Sequence, residues 1–428
     1  METTVLILGI LSAFTAMATN RVKQGVAMPL LALFALAMAG REALQAAQEG
    51  AANFILIAVI FTAVAVPAHL LHKSRALQWG ATIAGELLGT IVGRLHVPVI
   101  VIVPFACLFM TYGLAALFHN TTSILVSAGM VYLICKSYGL PPLPVLCGSL
   151  VASNAGGFST RWGDTPNLTE AMVWNLHHSD FFREILPVNI GLMVFLSLVV
   201  TLRLRRRKSE MGRFEIALGS AKFRSERRAL VVDRRMTLIG LIGLGAAVLV
   251  PMFYPEYELT VCGIVILFCC LANRPERREE TLMALGLDTY ATLLSVFILA
   301  RVLAHSSIGI GNILSAWLQA SKMSIWGIAT TSYVGTLLTE AASWASAVSG
   351  LVHTSAPTHA SAWALGAGIC AGSSSLVTAA SAGIILVNET KSFGDEGSVT
   401  FGSYIKFGLL FSALQLLYYV IVLSIIWR

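Results

Sequence analysis

Apolar positions along this chain come in long blocks rather than at the period of a half-buried helix or strand. Runs able to cross a hydrocarbon layer of about 30 Å occupy residues 3–19, 25–40, 53–71, 183–202, 236–252, 259–272, 287–304 and 403–427. Two regions, 97–138 and 324–354, are apolar for long enough to enter a bilayer and return, with a small polar cluster at the middle of each. Two more, 141–175 and 361–388, are apolar but interrupted by Gly, Ser, Thr and Asn. Non-helical backbone survives at membrane depth only inside protein or beside water. The four interruptions are therefore where function is expected. Segments 76–95 and 305–322, each just ahead of a hairpin, are predicted to lie along the membrane surface as interfacial helices.

This order contains a repeat. Span, interfacial helix, hairpin, broken span and span occur before a polar stretch at 203–235 and again after it. Asn120 and Glu340, at the two hairpin tips, stand 220 positions apart, and Gly156 and Gly372, which open the broken spans, stand 216 apart. Two broken elements at matching places in two halves point to a secondary transporter with its site near the midplane. The predicted fold is an all-α polytopic membrane protein, an inverted-repeat transporter with two re-entrant hairpins and two broken transmembrane helices. Its first half is 1–202, with a repeat core at about 53–202. A basic linker follows at 203–235, and the second half is 236–428.

Composition supports the membrane reading. Of 428 residues, 56% are hydrophobic and 12% charged, too few charged groups for a soluble surface. The seven cysteines all fall in apolar stretches without a C-x-x-C pair, so they read as packing residues and no transition-metal site is expected. The start of the chain lacks a basic region ahead of its first apolar run, so that run is expected to remain as a helix.

The net charge of +7 is localised. Arg203 to Arg235 holds twelve Lys or Arg against four acids, an excess of +8 that leaves the remainder at −1. Nucleic-acid binding is thus a weaker reading than a cytoplasmic linker obeying the positive-inside rule and facing anionic lipid. With that linker inside, Arg21 and Lys23, Lys73 and Arg75, and Arg274, Arg277 and Arg278 also fall inside, and the acidic loops at 42–49 and 256–258 fall outside. The expected location is a bacterial-type inner (cell) membrane.

Candidate chemistry sits in the interruptions. The first tip reads His119-Asn120-Thr121-Thr122, whose amide and hydroxyl oxygens can replace the hydration shell of a small cation; a polar turn at a water-filled mouth is the plain alternative. The first break contains Asn154, Gly156, Gly157, Thr160, Arg161, Gly163, Asp164, Thr165, Pro166 and Asn167. Glycines permit close backbone approach, and Pro166 stops helix continuation and frees carbonyls. Asp164 is costly at such a depth unless it faces a cation, is protonated, or pairs with Arg161 to pin a kink. The second tip carries Thr339 and Glu340. A lone intramembrane Glu is a candidate proton carrier, or a solvated turn if it meets water. The second break offers Ser373, Ser374, Ser375, Thr378 and Ser381, as ion contacts or as small residues that let helices approach.

The stretch from Asn120 through Leu140-Pro141-Pro142 to Gly163-Asp164-Thr165-Pro166-Asn167 resembles the signature of the ion transporter superfamily, in particular its arsenite-permease and NhaD sodium/proton antiporter branch with a citrate-transporter-like domain. More distantly it is similar to the divalent-anion:sodium symporters. The resemblance covers nearly the whole chain. It implies a two-lobed inverted repeat, a homodimer, and a cation site between the first tip and the first break. On matching positions it carries over Asn120, Thr121, Asn154, Gly156, Gly157, Thr160, Gly163, Asp164, Pro166 and Asn167. Three positions depart from the pattern: His119 replaces an acid, Thr339-Glu340 replaces an Asp-Asn or Ser-Asn pair, and Gly383 replaces the second Asn. Two of these departures, Thr339-Glu340 and Gly383, touch the second cation site.

Arg161 can supply the positive charge of a bound sodium ion beside Asp164, or attract an anion. In either case His119 or Glu340 is left to couple transport to protons. The sequence therefore supports proton-coupled antiport of a small cation such as sodium, with H+ and possibly Na+ as coupling ions and no cofactor. An anion permease for arsenite-like oxyanions or small carboxylates is the second reading. A non-transporting membrane scaffold is the third. His177-His178 and Asp180 show no nucleophile arrangement, so an enzyme is not expected.

Overall fold

A computed structural model describes residues 24–95, 98–204, 213–274, 287–304, 323–338, 341–394 and 397–427, with a few single positions elsewhere. Most of the predicted span 3–19, nearly all of 305–322, and both Thr339 and Glu340 lie outside the described residues.

Among the described residues the fold is helical, with no strand. The N-terminal helices are α1 (Gln24–Ala39), α2 (Leu44–Lys73) and α3 (Ala76–Leu95). The first functional block follows as α4 (Val99–Phe118), α5 (Asn120–Ser137), α6 (Pro142–Phe158), α7 (Thr165–Trp174) and α8 (His178–Leu204), the last with a wide π turn at Phe181–Ile185. The linker contributes α9 (Arg213–Ala229). Helices α10 (Arg234–Phe253), α11 (Glu258–Ala272) and α12 (Leu287–Ala304) come next. The second block is α13 (Ile325–Leu338), α14 (Ala341–Ser355), α15 (His359–Ser373), α16 (Ser381–Thr390) and α17 (Phe401–Ile426).

The regions 97–138, 141–175 and 361–388 thus appear as helix pairs, with interruptions at His119, at 159–164 and at 374–380, while the tip expected at 339–340 lies outside the described residues. Among the described residues, Val99–Phe118, His178–Leu204, Arg234–Pro251 and Phe401–Ile426 are long and apolar enough to cross a bilayer. Local chemistry sets the boundaries. Pro142 begins α6 where its missing N–H costs nothing. Asp164 caps α7 by accepting from Thr165 N, and Asn175 ends it in the left-handed conformation at φ 53°. Asp233 caps α10, and a Thr400/Ser403 capping box opens α17.

Two main packing cores and a small third one organise the described residues. The larger joins α4 to α8 with α13 to α17, through Leu108, Leu150, Phe158, Phe181, Trp363, Tyr404, Phe411 and Tyr419. The second gathers α2, α10 and α11, and receives Phe118, Trp162 and Leu168 from the first block. A small third cluster joins α1, the start of α2 and α12. The linker is not merely a basic tether: α9 lays Phe223 against Gly85 of α3, while Arg224 and Arg227 reach Glu86 at 2.9 and 2.7 Å.

Candidate functional site

The turn between α4 and α5 is a single residue. His119 takes φ 91°, a backbone that L residues rarely adopt, and Ser123 Oγ donates to Thr111 O at 2.8 Å, so the chain doubles back there. The break between α6 and α7 is held against this tip by backbone. Asn120 N donates to Gly163 O at 3.1 Å, Ser153 Oγ donates to Asn120 O at 2.8 Å, and Thr160 Oγ1 donates to Ala116 O at 3.0 Å. Close approach depends on Gly156, where an added Cβ would stand 2.3 Å from Tyr112 O.

Within this frame Asn120 Nδ2 donates to Asp164 Oδ2 at 2.8 Å, and Thr165 N donates to Asp164 Oδ1 at 2.8 Å. His119 Nε2 lies 3.9 Å from Asp164 Oδ1, beyond hydrogen-bond range. Its Nδ1 is 2.9 Å from Thr121 Oγ1. Asn167 Nδ2 closes the break by donating to Gly157 O and Thr160 O, both at 2.7 Å. Asn154 Nδ2 crosses to the other half, donating to Ser374 Oγ at 3.1 Å. The carbonyl oxygens of the Asn120 and Asn154 side chains are buried without a hydrogen-bond donor. Buried acceptors left open in this way are costly unless a cation or water completes them.

The structure therefore brings together His119, Asn120, Thr121, Gly156, Gly157, Thr160, Gly163, Asp164, Thr165 and Asn167, whereas Asn154, on the same helix as Gly156, is bonded to Ser374. Arg161 turns elsewhere. Among the described residues its ion pair is with Glu258 at the start of α11, Nη1 to Oε2 at 2.6 Å, and not with Asp164. His178 Nε2 stands 3.5 Å from the other oxygen of Glu258, and Trp162 packs on the His178 ring.

In the second half, Ala341 N donates to Ala379 O at 3.2 Å, and Gly372 passes so close that an added Cβ would meet Tyr333 O at 2.9 Å. Ser373, Ser374 and Ser375 hydroxyls each donate back to their own helix, to Ile369 O, Cys370 O and Gly372 O. Thr378 and Ser381 are half-buried at the break. A Cβ at Gly383 would stand 2.3 Å from Val377 O, so no Asn fits there without a backbone shift.

Three participants escaped sequence reasoning. Asn189 of α8 donates to Ala155 O and Ser159 Oγ and accepts from Tyr419 OH at 2.6 Å, tying the first break to α17. Tyr404 OH donates to Ser374 O at 2.6 Å. Glu170, in the middle of α7, is fully buried with neither oxygen partnered. Glu170 reads in sequence as an ordinary helical acid, and only the packing of α15 shows otherwise.

A helical chain with several apolar spans, whose breaks meet in an oxygen-rich centre, has the build of an integral, multi-pass membrane protein. Residues 3–386 match the citrate transporter family, CitMHS, and the chain belongs to that family. It is 28% identical over 301 residues to the magnetosome protein MamN of Magnetospirillum gryphiswaldense, and spans 66% of that protein's length, with 66% of this chain covered. An uncharacterized transporter of Mycobacterium tuberculosis is 34% identical over 82 residues, 19% of each chain. The crystal structure of the Alcanivorax borkumensis YdaH transporter shares the fold, with a TM-score of 0.52 at 15% identity over 90% of this chain and 88% of that one.

Proposed function

We propose that the chain is a secondary active transporter that exchanges protons for a small cation such as sodium at a site formed by Asn120, Asn154 and Asp164. The observation that carries this reading is the part-buried pairing of a carboxylate with a neutral amide, Asn120 to Asp164 at 2.8 Å, together with two buried side-chain carbonyls, of Asn120 and Asn154, that lack donors. Such a set supplies one negative charge and neutral oxygens, the requirement for a hard monovalent cation that has shed water.

The two blocks are read as an inverted repeat. Hairpin residues correspond at an offset of 221, Asn120 with Ala341 and Tyr112 with Tyr333. Break residues correspond at 216, Gly163 with Ala379 and Gly156 with Gly372, and each pair makes the same kind of close backbone approach. In this reading 97–138 and 324–354 are re-entrant, α3 and 305–322 lie at the membrane surface, and 203–235 is a cytoplasmic linker between the halves 1–202 and 236–428. The protein works in the cell membrane as a homodimer.

Everted vesicles carrying the protein test the proposal. A sodium pulse is expected to collapse a preformed pH gradient with wild type and not with Asp164→Asn. An unchanged response in Asp164→Asn sinks the site assignment.

Family membership favours a second reading, uptake of a small carboxylate or oxyanion. Arg161, the natural anion contact, is however occupied by Glu258. The closed packing at Gly383 favours the third, a scaffold, and complete absence of flux for sodium, lithium, protons and carboxylates in proteoliposomes would support it.

A further inference from the structure

Glu170 occupies a place that the cation site does not use. It lies six residues beyond Asp164, about 9 Å along α7 at 1.5 Å per residue, and shares a helix face with Asn167 three residues before it. Its exposure is 0%, and neither Oε1 nor Oε2 has a hydrogen-bond partner. The carboxyl group sits against bare backbone of the other half: a Cβ on Gly366 of α15 would stand 2.6 Å from Glu170 Oε2 and 2.4 Å from the Phe158 ring. Gly366 is therefore what makes room for the acid between the halves.

Among the described residues, no Lys, Arg or His side chain bonds to the Glu170 carboxyl group. Helix α7 packs against α14 and α15. Their titratable side chains are His353 on α14, held against Trp174 at the far end of α7, and His359 and Cys370 on α15. Asp164 is the other acid of α7's own segment, and neither α14 nor α15 carries Lys or Arg. An ionised carboxylate without donors or a counter-charge is strongly disfavoured in such a place, whereas the neutral acid is tolerated.

We propose that Glu170 is the proton-carrying group of the transporter, a carboxylic acid that keeps its proton while clamped between Phe158 and Gly366 and gives it to water when α7 separates from α15. Asp164 keeps the cation. The division assigns the two exchanged species to two carboxyl groups on one short helix, so that movement of α7 against α15 exposes one and closes the other. It rests on the transport reading above and adds to it the group that couples.

The test uses the full-length protein in proteoliposomes, with infrared difference spectroscopy as a second readout. Glu170→Gln preserves shape and removes the ionisable group. It is expected to lower sodium-driven proton movement at least tenfold while sodium:sodium exchange persists and loses its pH dependence. Glu170→Asp is expected to restore coupling in part. In the infrared, a carbonyl band of a protonated carboxylic acid, present in wild type across neutral pH, is expected to vanish in Glu170→Gln. Sodium-driven proton movement at the wild-type rate in Glu170→Gln overturns the proposal, and so does a wild-type spectrum without that band. If wild type exchanges no sodium at all, the transport reading fails by itself, and the infrared band still decides whether Glu170 holds a proton.

Discussion

The Arg161 to Glu258 contact gives a prediction whose size follows from its geometry. The two groups meet at 2.6 Å with side chains 12% exposed each, and they tie the first break to α11 in the second core. Two unit charges about 4 Å apart interact by about 4 kcal/mol at an effective dielectric near 20. Taking away one partner leaves the other charge buried, a loss of about 3 to 5 kcal/mol, whereas removing both leaves two neutral groups of similar volume. His178 near the second oxygen of Glu258 softens the loss in the arginine variant. Arg161→Met, Glu258→Gln and the double variant should therefore form a cycle with a coupling energy of about 2 to 4 kcal/mol, the double variant being more stable than the sum of the singles implies. Reversible unfolding of the purified protein in mixed micelles measures it. Additive losses would refute the pairing. If Arg161 instead served an anionic substrate, Arg161→Met would abolish carboxylate uptake without loss of stability, and Glu258→Gln would change neither.

Three further outcomes follow from the packing. Gly156→Ala should cost about 1 to 3 kcal/mol, because its methyl meets the Tyr112 carbonyl. Gly113→Ala on the same helix pair, with open space around it, should gain about 0.5 to 1 kcal/mol; equal effects in unfolding experiments would contradict the close approach of α4 and α6. Asn167→Ala should lose about 1 to 3 kcal/mol and reduce sodium affinity, since the Gly157 and Thr160 carbonyls lose their buried donor. Gly383→Asn should destabilise the second half without adding a cation site, and an increase in sodium bound per chain would show that the loop opens more readily than its contact with Val377 O allows.

Much of this architecture was legible in the sequence because a bilayer imposes long apolar blocks and because Pro and Gly mark where they stop. The helix ends at Phe118, Ser137, Phe158 and Trp174 fall within the predicted hairpin and broken span. Asn120 and Asp164 were placed at one site by the resemblance to the ion transporter superfamily, which implies a cation site between the first tip and the first break, and their side chains meet at 2.8 Å. The partner of Arg161 was not legible. Its three-residue spacing from Asp164 suggests proximity only if the segment is helical. The segment is instead a turn, and Asp164 is extended at φ −151° with its carboxylate committed to capping α7, so the two side chains diverge. Glu258 lies 97 residues away, beyond any local pattern. The hydroxyl row Ser373 to Ser375 had two readings, and its bonds to its own helix carbonyls favour the packing one. Glu170 was invisible for a different reason: its isolation is created by Gly366, and the sequence of α7 holds no sign of what passes over it.

Transport in this reading depends on a cation held by Asp164 with neutral oxygens from both sides of the break. Equilibrium binding of radiolabelled sodium to the purified protein tests it most directly, in wild type and in Asp164→Asn at two pH values. Saturable binding in wild type, weakened by acid, and at least a tenfold loss of affinity in Asp164→Asn are expected. Equal binding in the two proteins, or none in wild type at any pH, would contradict it.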